Sequence, residues 1–383
     1  MLIALNTLFL IPGKIGGMET VVRGLVRALA ALDRSNEYVI FANRENAPTW
    51  DDLPENFSVF ECPVRGTAKV SRTLYEQTKL ASRARRLGVA VLHSLGAVAP
   101  PTSPAFRSVL TIPDLIYRRF PGEWTPLQRL VGGYLNERAA RTVDRIITLS
   151  EFSKMDICKD FGVPPEKVSV IPPGCQDIPP DSESADRFFR DARISFPYIF
   201  SVGSTYYHKN LDGLLRAFQI LRRRFRLPHR LVVSGLRMRA HSFFERDVAR
   251  LGLARSVLWT GWVSPAVLRA LYERADCFLF PSLYEGFGLP VLEAMALETP
   301  VACSNVTFLP EVAGDAAVTF DPRDPDAIAD AVQRILDEPD LRRSLVEKGR
   351  ARARTFTWER CARQTLELYL SLPPPSLAPR LPS

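Results

Sequence analysis

The chain has 383 residues, 46% hydrophobic and 24% charged, which is ordinary for a globular protein and long enough for two cores. Its formal charge of +8 divides equally between residues 1–178 and the remainder, and no basic stretch interleaved with aromatics accompanies it, which argues against a nucleic-acid-binding module. Six cysteines and four histidines are scattered without CxxC or Cys/His spacing, so neither a disulfide framework nor a metal centre is expected.

The opening MLIALNTLFLI has no basic leader and no small-residue cleavage site, and it is too short to cross a bilayer. It reads as a first buried strand of a cytoplasmic protein. Apolar runs then alternate with stretches of helical period: LIALNTLF, YVIFAN, FSVFECP, AVLHSL, RSVLTI, RIITLS and VSVIPPG. That alternation predicts a parallel sheet with helices on its faces. Residues 174–195 are polar and contain proline, so the pattern places a first domain at 1–178 and a linker at 179–195. A second series, YIFSVGS, HRLVVSG, SVLWTG, CFLFPS, PVACSN and AVTFDP, predicts another doubly wound α/β domain at 196–355. An amphipathic helix headed by Thr357 follows at 356–372, and the proline-rich residues 373–383 read as a disordered tail.

Three loops carry polar or glycine-rich groups. Gly13, Gly16 and Gly17 join the first strand to the first helix, either as an ordinary tight turn or as a loop whose amides and helix N-terminus receive a phosphate. Gly203 and Lys209 repeat that arrangement at the start of the second series, with Asn210 placed to cap the next helix. Lys209 is either a solvated loop lysine or a counter-charge for a diphosphate. In YEGFGLPVLEAMA, Pro290 suits a first helical turn. The helix should start near Gly288, with the amides of Phe287, Gly288 and Leu289 at its N-terminus, Glu285 beside them and Glu293 about a turn deeper. Two carboxylates flanking backbone donors suit a polyol. The structural alternative makes Glu285 a cap and gives Glu293 a salt bridge.

YEGFGLPVLEAMA, with seven residues between Glu285 and Glu293, resembles the E-x7-E motif of the retaining glycosyltransferases of family 4, which have the GT-B fold. The resemblance extends along the chain through Gly16 to Glu19, VLHSLGAVAPP, ITLSEFSKMDI, VIPPG, VG with HKN at 202–210, GWVS and PEVAGDAAVTFDP. It implies two Rossmann-like domains facing a cleft, with the C-terminal helix crossing back to the first. It places Glu293 on the ribose hydroxyls of a nucleotide. Glu285 and the amides of Phe287 to Leu289 would hold the donor sugar, and Lys209 with the Gly16/Gly17 loop would face the diphosphate. Family members retain anomeric configuration without metal. They need no cofactor, because the nucleotide-sugar is a substrate. Their chemistry is rationalised by a leaving-phosphate oxygen taking the acceptor's proton, or alternatively by Glu285 as a covalent nucleophile.

Two departures stand out. Relatives often have His before Asp in a TIHDL-like segment, whereas this chain reads LTIPDL, with Pro113 in the histidine's place and Asp114 retained. His93 is a substitute catalytic group or a packed strand-end residue. Ser204 follows Gly203 where many relatives have an arginine. Acceptor contacts are expected from Asp114, Tyr117, Arg118, Arg119, Phe120 and Trp124, which equally suit a packed, solvated loop. A basic first domain favours transient contact with an anionic leaflet. The expected function is transfer of a sugar from a nucleotide to a saccharide or lipid-linked acceptor. A sugar-nucleotide epimerase and a catalytically impaired binding homologue are the competing readings.

Overall fold

Every apolar run named above forms a strand in the computed structural model, which describes residues 1–175, 178–236 and 241–376. The chain divides into two compact units, Met1–Gly174 with Phe356–Ser383, and Cys175–Thr355. Each is a parallel sheet flanked by helices, and together they give the two-domain, Rossmann-like GT-B class of α/β fold.

The first sheet comprises β1 (Leu2–Asn6), β2 (Glu37–Ala42), β3 (Phe57–Glu61), β4 (Val91–Ser94), β5 (Arg107–Thr111), β6 (Arg145–Thr148) and β7 (Val168–Val170), in the order β3-β2-β1-β4-β5-β6-β7. Its central strands are buried on both faces, which explains why they read as continuous apolar runs without alternation. The order reverses between β1 and β4. A crevice opens at such a point beyond the carboxyl ends of the strands, because successive crossovers leave on opposite faces.

The C-terminal helix Trp358–Ser371 belongs to this first unit and packs on the helix Gly17–Leu32. Thr357 caps it, its Oγ1 accepting from the Arg360 amide at 3.1 Å. A Cβ on Gly24, in the middle of the partner helix, would lie 2.4 Å from the Trp358 ring. Glycine within a helix costs roughly 1 kcal/mol of propensity, and here the gap it leaves admits the indole.

The second sheet comprises β8 (Tyr198–Val202), β9 (Arg230–Ser234), β10 (Val257–Gly261), β11 (Cys277–Phe280), β12 (Val301–Ser304) and β13 (Ala317–Phe320), in the order β10-β9-β8-β11-β12-β13. Its reversal lies between β8 and β11.

Two boundaries differ from expectation. Residues 179–195 are not an open linker, because the helix Ser182–Asp191 forms there with Asp181 as its cap and buries Ala185 and Phe189. This helix packs on the helix Pro265–Glu273 within the second unit, tied by Arg274 to Asp186 at 2.6 Å. A polar stretch hid an amphipathic helix whose apolar residues are few but correctly spaced. Of the expected tail, residues 377–383 lie outside the described residues. At its start, the carbonyls of Pro373 and Pro374 accept from the Arg107 guanidinium at 2.9 and 2.8 Å.

Candidate active site

In the second unit, Lys209 and Glu285 follow the two strands that flank the reversal point. Lys209 ends a short turn after β8, and Glu285 lies in the loop after β11. Lys209 Nζ is 2.6 Å from Glu285 Oε1, and both side chains are largely buried. The ammonium also lies 5.5 Å from the centre of the Phe280 ring, within the range of a cation–π attraction.

The turn bearing Lys209 is held by its neighbours. Asn210 takes a left-handed conformation (φ 56°), and its Oδ1 caps the helix Leu211–Arg223 by accepting from the Gly213 amide. Its Nδ2 donates to the carbonyls of Pro281, at 3.0 Å, and Pro322, at 2.7 Å. The Leu283 amide donates to the His208 carbonyl at 2.7 Å. The Lys209 turn and the Glu285 loop are therefore joined by a backbone bond, a side-chain clamp and an ion pair. A Cβ on Gly203, just after β8, would meet the Lys209 stem at 3.4 Å, an ordinary contact distance. The cap by Asn210 follows from the sequence, whereas the bonds to Pro281 and Pro322 join residues far apart in the chain and carry no sequence signal.

The second carboxylate sits on the helix Leu289–Ala296. Gly288 precedes it at φ 84°, where a Cβ would approach Leu309 to 2.8 Å, so both conformation and space call for glycine. Phe287 and Leu289 are buried, and the Phe287 ring stacks on Phe308 at 5.3 Å. That packing fixes the first turn, in which the Val291 amide donates to the Gly288 carbonyl at 2.9 Å. Glu293 Oε2 accepts from Tyr272 Oη at 3.0 Å. Burial raises the Glu293 carboxyl above the usual range, and the Tyr272 bond offsets part of that rise. Neither part of the structural alternative holds: Glu285 pairs with Lys209 instead of capping, and Glu293 binds a phenol instead of a cation. Tyr272, from the helix Pro265–Glu273, is a site residue that the sequence did not disclose.

In the first unit, Gly16 (φ 65°) and Gly17 start the helix Gly17–Leu32 without a side-chain cap, and both are exposed. Glu19 Oε2 accepts from the Gly13 amide at 2.7 Å, which folds the loop back on the helix. Asp114 Oδ1 accepts from the Ile116 amide at 3.0 Å and so turns the chain into the short helix Ile116–Arg119.

His93 cannot serve as a catalytic group. It is fully buried, with Nδ1 bonded to Tyr369 and Nε2 to Thr111 Oγ1, and burial pushes its pKa down to about 3. It is a neutral core histidine that ties β4 to the C-terminal helix. The arginines expected at an acceptor are also committed elsewhere. Arg118 pairs with Glu137 at 2.8 Å and Arg119 with Asp156 at 2.7 Å and Asp160 at 3.2 Å, stapling the short helix to its neighbours. Tyr117 packs partly against the core beneath these helices. Trp124 remains more than a third exposed.

A carboxylate outside every expectation lies at the reversal point of the first sheet. Glu76, in a π-helical turn over Glu76–Leu80, is buried and accepts from Asn6 Nδ2 at the end of β1. Asn6 Nδ2 also lies 3.3 Å from Ser94 Oγ at the end of β4. Burial raises the Glu76 carboxyl to about 7, against the opposing effects of the Asn6 bond and the Arg72 charge. A signal existed, since Glu76 is the lone acid among seven Lys/Arg between residues 64 and 88. Because the folded pKa exceeds the unfolded value, its contribution to stability is complete below about 4.5 and is lost as pH rises through 7. Glu76→Gln is therefore expected to be more stable than the native chain above neutrality by roughly 3 kcal/mol at most, with the gap closing toward pH 4. Urea unfolding at a series of pH values measures this, and a gap that does not change with pH would refute it.

Residues 15–177 match the model of Glycosyltransferase Family 4, and residues 184–352 match that of Glycosyl transferases group 1. The chain is 34% identical to O-antigen chain mannosyltransferase B of Escherichia coli over 69% of its own length and 70% of that protein's. It is 33% identical to the MMP alpha-(1->4)-mannosyltransferase of Mycolicibacterium hassiacum over 64% of its own length and 58% of the relative's. The sucrose-phosphate synthase structure from Thermosynechococcus elongatus superposes with a TM-score of 0.75 at 21% identity, covering 97% of this chain and 98% of that one. With its paired doubly wound sheets, its two glutamates and these matches, the chain belongs to glycosyltransferase family 4 and is a nucleotide-sugar-dependent glycosyltransferase.

Proposed function

We propose that this enzyme is a retaining, metal-independent glycosyltransferase that moves a hexose from a nucleoside diphosphate to a saccharide or lipid-linked acceptor during polysaccharide or glycolipid assembly. Mannose is the sugar we favour, because two of its relatives are named as mannosyltransferases. The observation that carries the reading is the Lys209–Glu285 pair at the reversal point of the second sheet, with a helix N-terminus and Glu293 in the same loop-and-helix segment. All six cysteines are free thiols, which suits a reducing, cytoplasmic compartment.

In this reading the second unit takes the donor and the first the acceptor. Glu293, oriented by Tyr272, accepts hydrogen bonds from the ribose hydroxyls. Glu285 and the amides of Phe287 to Leu289 hold the sugar. Lys209, with the glycine loop at Gly203, stabilises charge on the departing diphosphate. An oxygen of that diphosphate takes the acceptor hydroxyl's proton as the new glycosidic bond forms on the same face. Asp114 and Trp124 remain as acceptor contacts, and binding donor must separate Lys209 from Glu285.

Thermal denaturation with UDP, GDP, ADP and TDP tests the reading. One of them should stabilise the fold by about 2.7 kcal/mol at a free concentration about 100 times its Kd. If none shifts the transition, the donor site is misassigned.

A further inference from the structure

We infer that the first unit carries an interfacial docking face for an anionic lipid bilayer, built from the helices Lys69–Tyr75 and Pro126–Thr142. This inference deepens the lipid-linked acceptor proposed above and rests on that reading only for its purpose. The helix Pro126–Thr142 starts with a full Thr125–Gln128 capping box, yet it buries only Asn136, Ala139 and Ala140, all toward its C-terminal end. Its first half presents Leu127, Leu130, Val131 and Tyr134 to solvent, and Leu130 is 73% exposed. On the other helix Val70 is 85% exposed and Leu74 62%.

These side chains are not scattered. Residues 127, 131, 134 and 138 lie at helical spacing on one stripe, and residues 70, 74 and 77 lie on another. The stripes converge where the Arg138 guanidinium donates to Gln77 Oε1. A contiguous apolar patch on a soluble protein marks an interaction surface, because leaving it in water costs free energy.

Charge selects the occupant. Residues 64–88 and 124–142 together hold ten Lys/Arg and two acidic residues, while the rest of 1–174 holds twelve and fifteen. The positive charge of the first half is thus concentrated here, although the halves of the chain balance. Neither acid is left as a competing charge: Glu76 is buried on Asn6, and the partly exposed Glu137 is paired with Arg118 and Arg141. An apolar stripe flanked by Lys69, Lys79 and Arg129 without competing carboxylates from these segments is the pattern of a helix lying in a headgroup region. Its apolar side chains enter the acyl boundary while the cations meet lipid phosphates. A second protein copy carrying the same positive face would be repelled by it. Among the described residues no helix is long and apolar enough to span a membrane, so this face would lie on the bilayer.

Co-sedimentation of the full chain with vesicles of phosphatidylcholine, with and without phosphatidylglycerol, tests the inference. Binding is expected on the anionic vesicles only and should weaken with added salt. Leu130→Glu/Tyr134→Glu should lower the partition coefficient by about tenfold, as should Lys69→Glu/Arg129→Glu. No binding, equal binding to neutral vesicles, or unaltered binding of both variants would overturn it. So would a dimer in sedimentation velocity that these variants dissociate. The nucleotide-induced thermal shift of the same variants should be native. In the native chain, absent vesicle binding with an intact nucleotide shift refutes the docking face alone, whereas an absent shift with intact vesicle binding refutes the donor assignment alone.

Discussion

Lys209→Ala is expected to lower kcat by roughly 10²–10³-fold, the usual loss when a preorganised group facing developing charge is removed. The turn that bears Lys209 is held by the Asn210 clamp and the Leu283–His208 backbone bond, so in the proposed reaction only the side chain has to exchange Glu285 for the diphosphate. The variant also leaves Glu285 without its partner at 2.6 Å in a largely buried loop, which will cost stability. Lys209→Ala/Glu285→Gln separates the two effects: it should regain most of the lost melting temperature and none of the rate. A rate that recovers with stability would show the pair to be structural. Steady-state kinetics with a defined donor and acceptor, read beside calorimetric donor affinity, makes the distinction.

Glu293→Ala should weaken nucleoside diphosphate binding by roughly 10–100-fold, as expected for lost hydrogen bonds to a charged acceptor. It also leaves the buried Tyr272 hydroxyl without its acceptor. Glu293→Gln supplies an oxygen for that hydroxyl, so it should fold as well as the native chain and bind nucleotide with intermediate affinity. The direction of the Glu293 shift adds a pH signature. With its pKa raised by burial, the carboxylate is lost on acidification before ordinary glutamates titrate. Native affinity should therefore fall early as pH drops, and that of Glu293→Gln should not. Unaltered affinity of the alanine variant for every nucleoside diphosphate in titration calorimetry would end the ribose assignment.

Much of the architecture was legible because parallel strands buried on both faces must be continuous apolar runs, and all thirteen named runs became strands. The start at Gly288 and the Asn210 and Thr357 caps were legible for a similar reason, since each depends on residues within three or four positions. The Ser182–Asp191 helix was missed where only two apolar side chains are buried in a polar stretch. His93 was open to either role in sequence, and only burial and two hydrogen-bond partners decide that it is structural.

What the sequence by itself determined, then, is what short-range patterning can encode: two α/β domains, the loops that carry glycines and carboxylates, and the E-x7-E spacing. Tertiary structure alone decided which groups meet, namely Lys209 with Glu285, Tyr272 with Glu293, Asn6 with Glu76, and Arg118 and Arg119 with carboxylates of neighbouring helices. The physical reason is that a hydrogen bond or ion pair depends on distance in space. Partners separated by 76, 21 and 70 residues leave no periodicity from which their contact could be read.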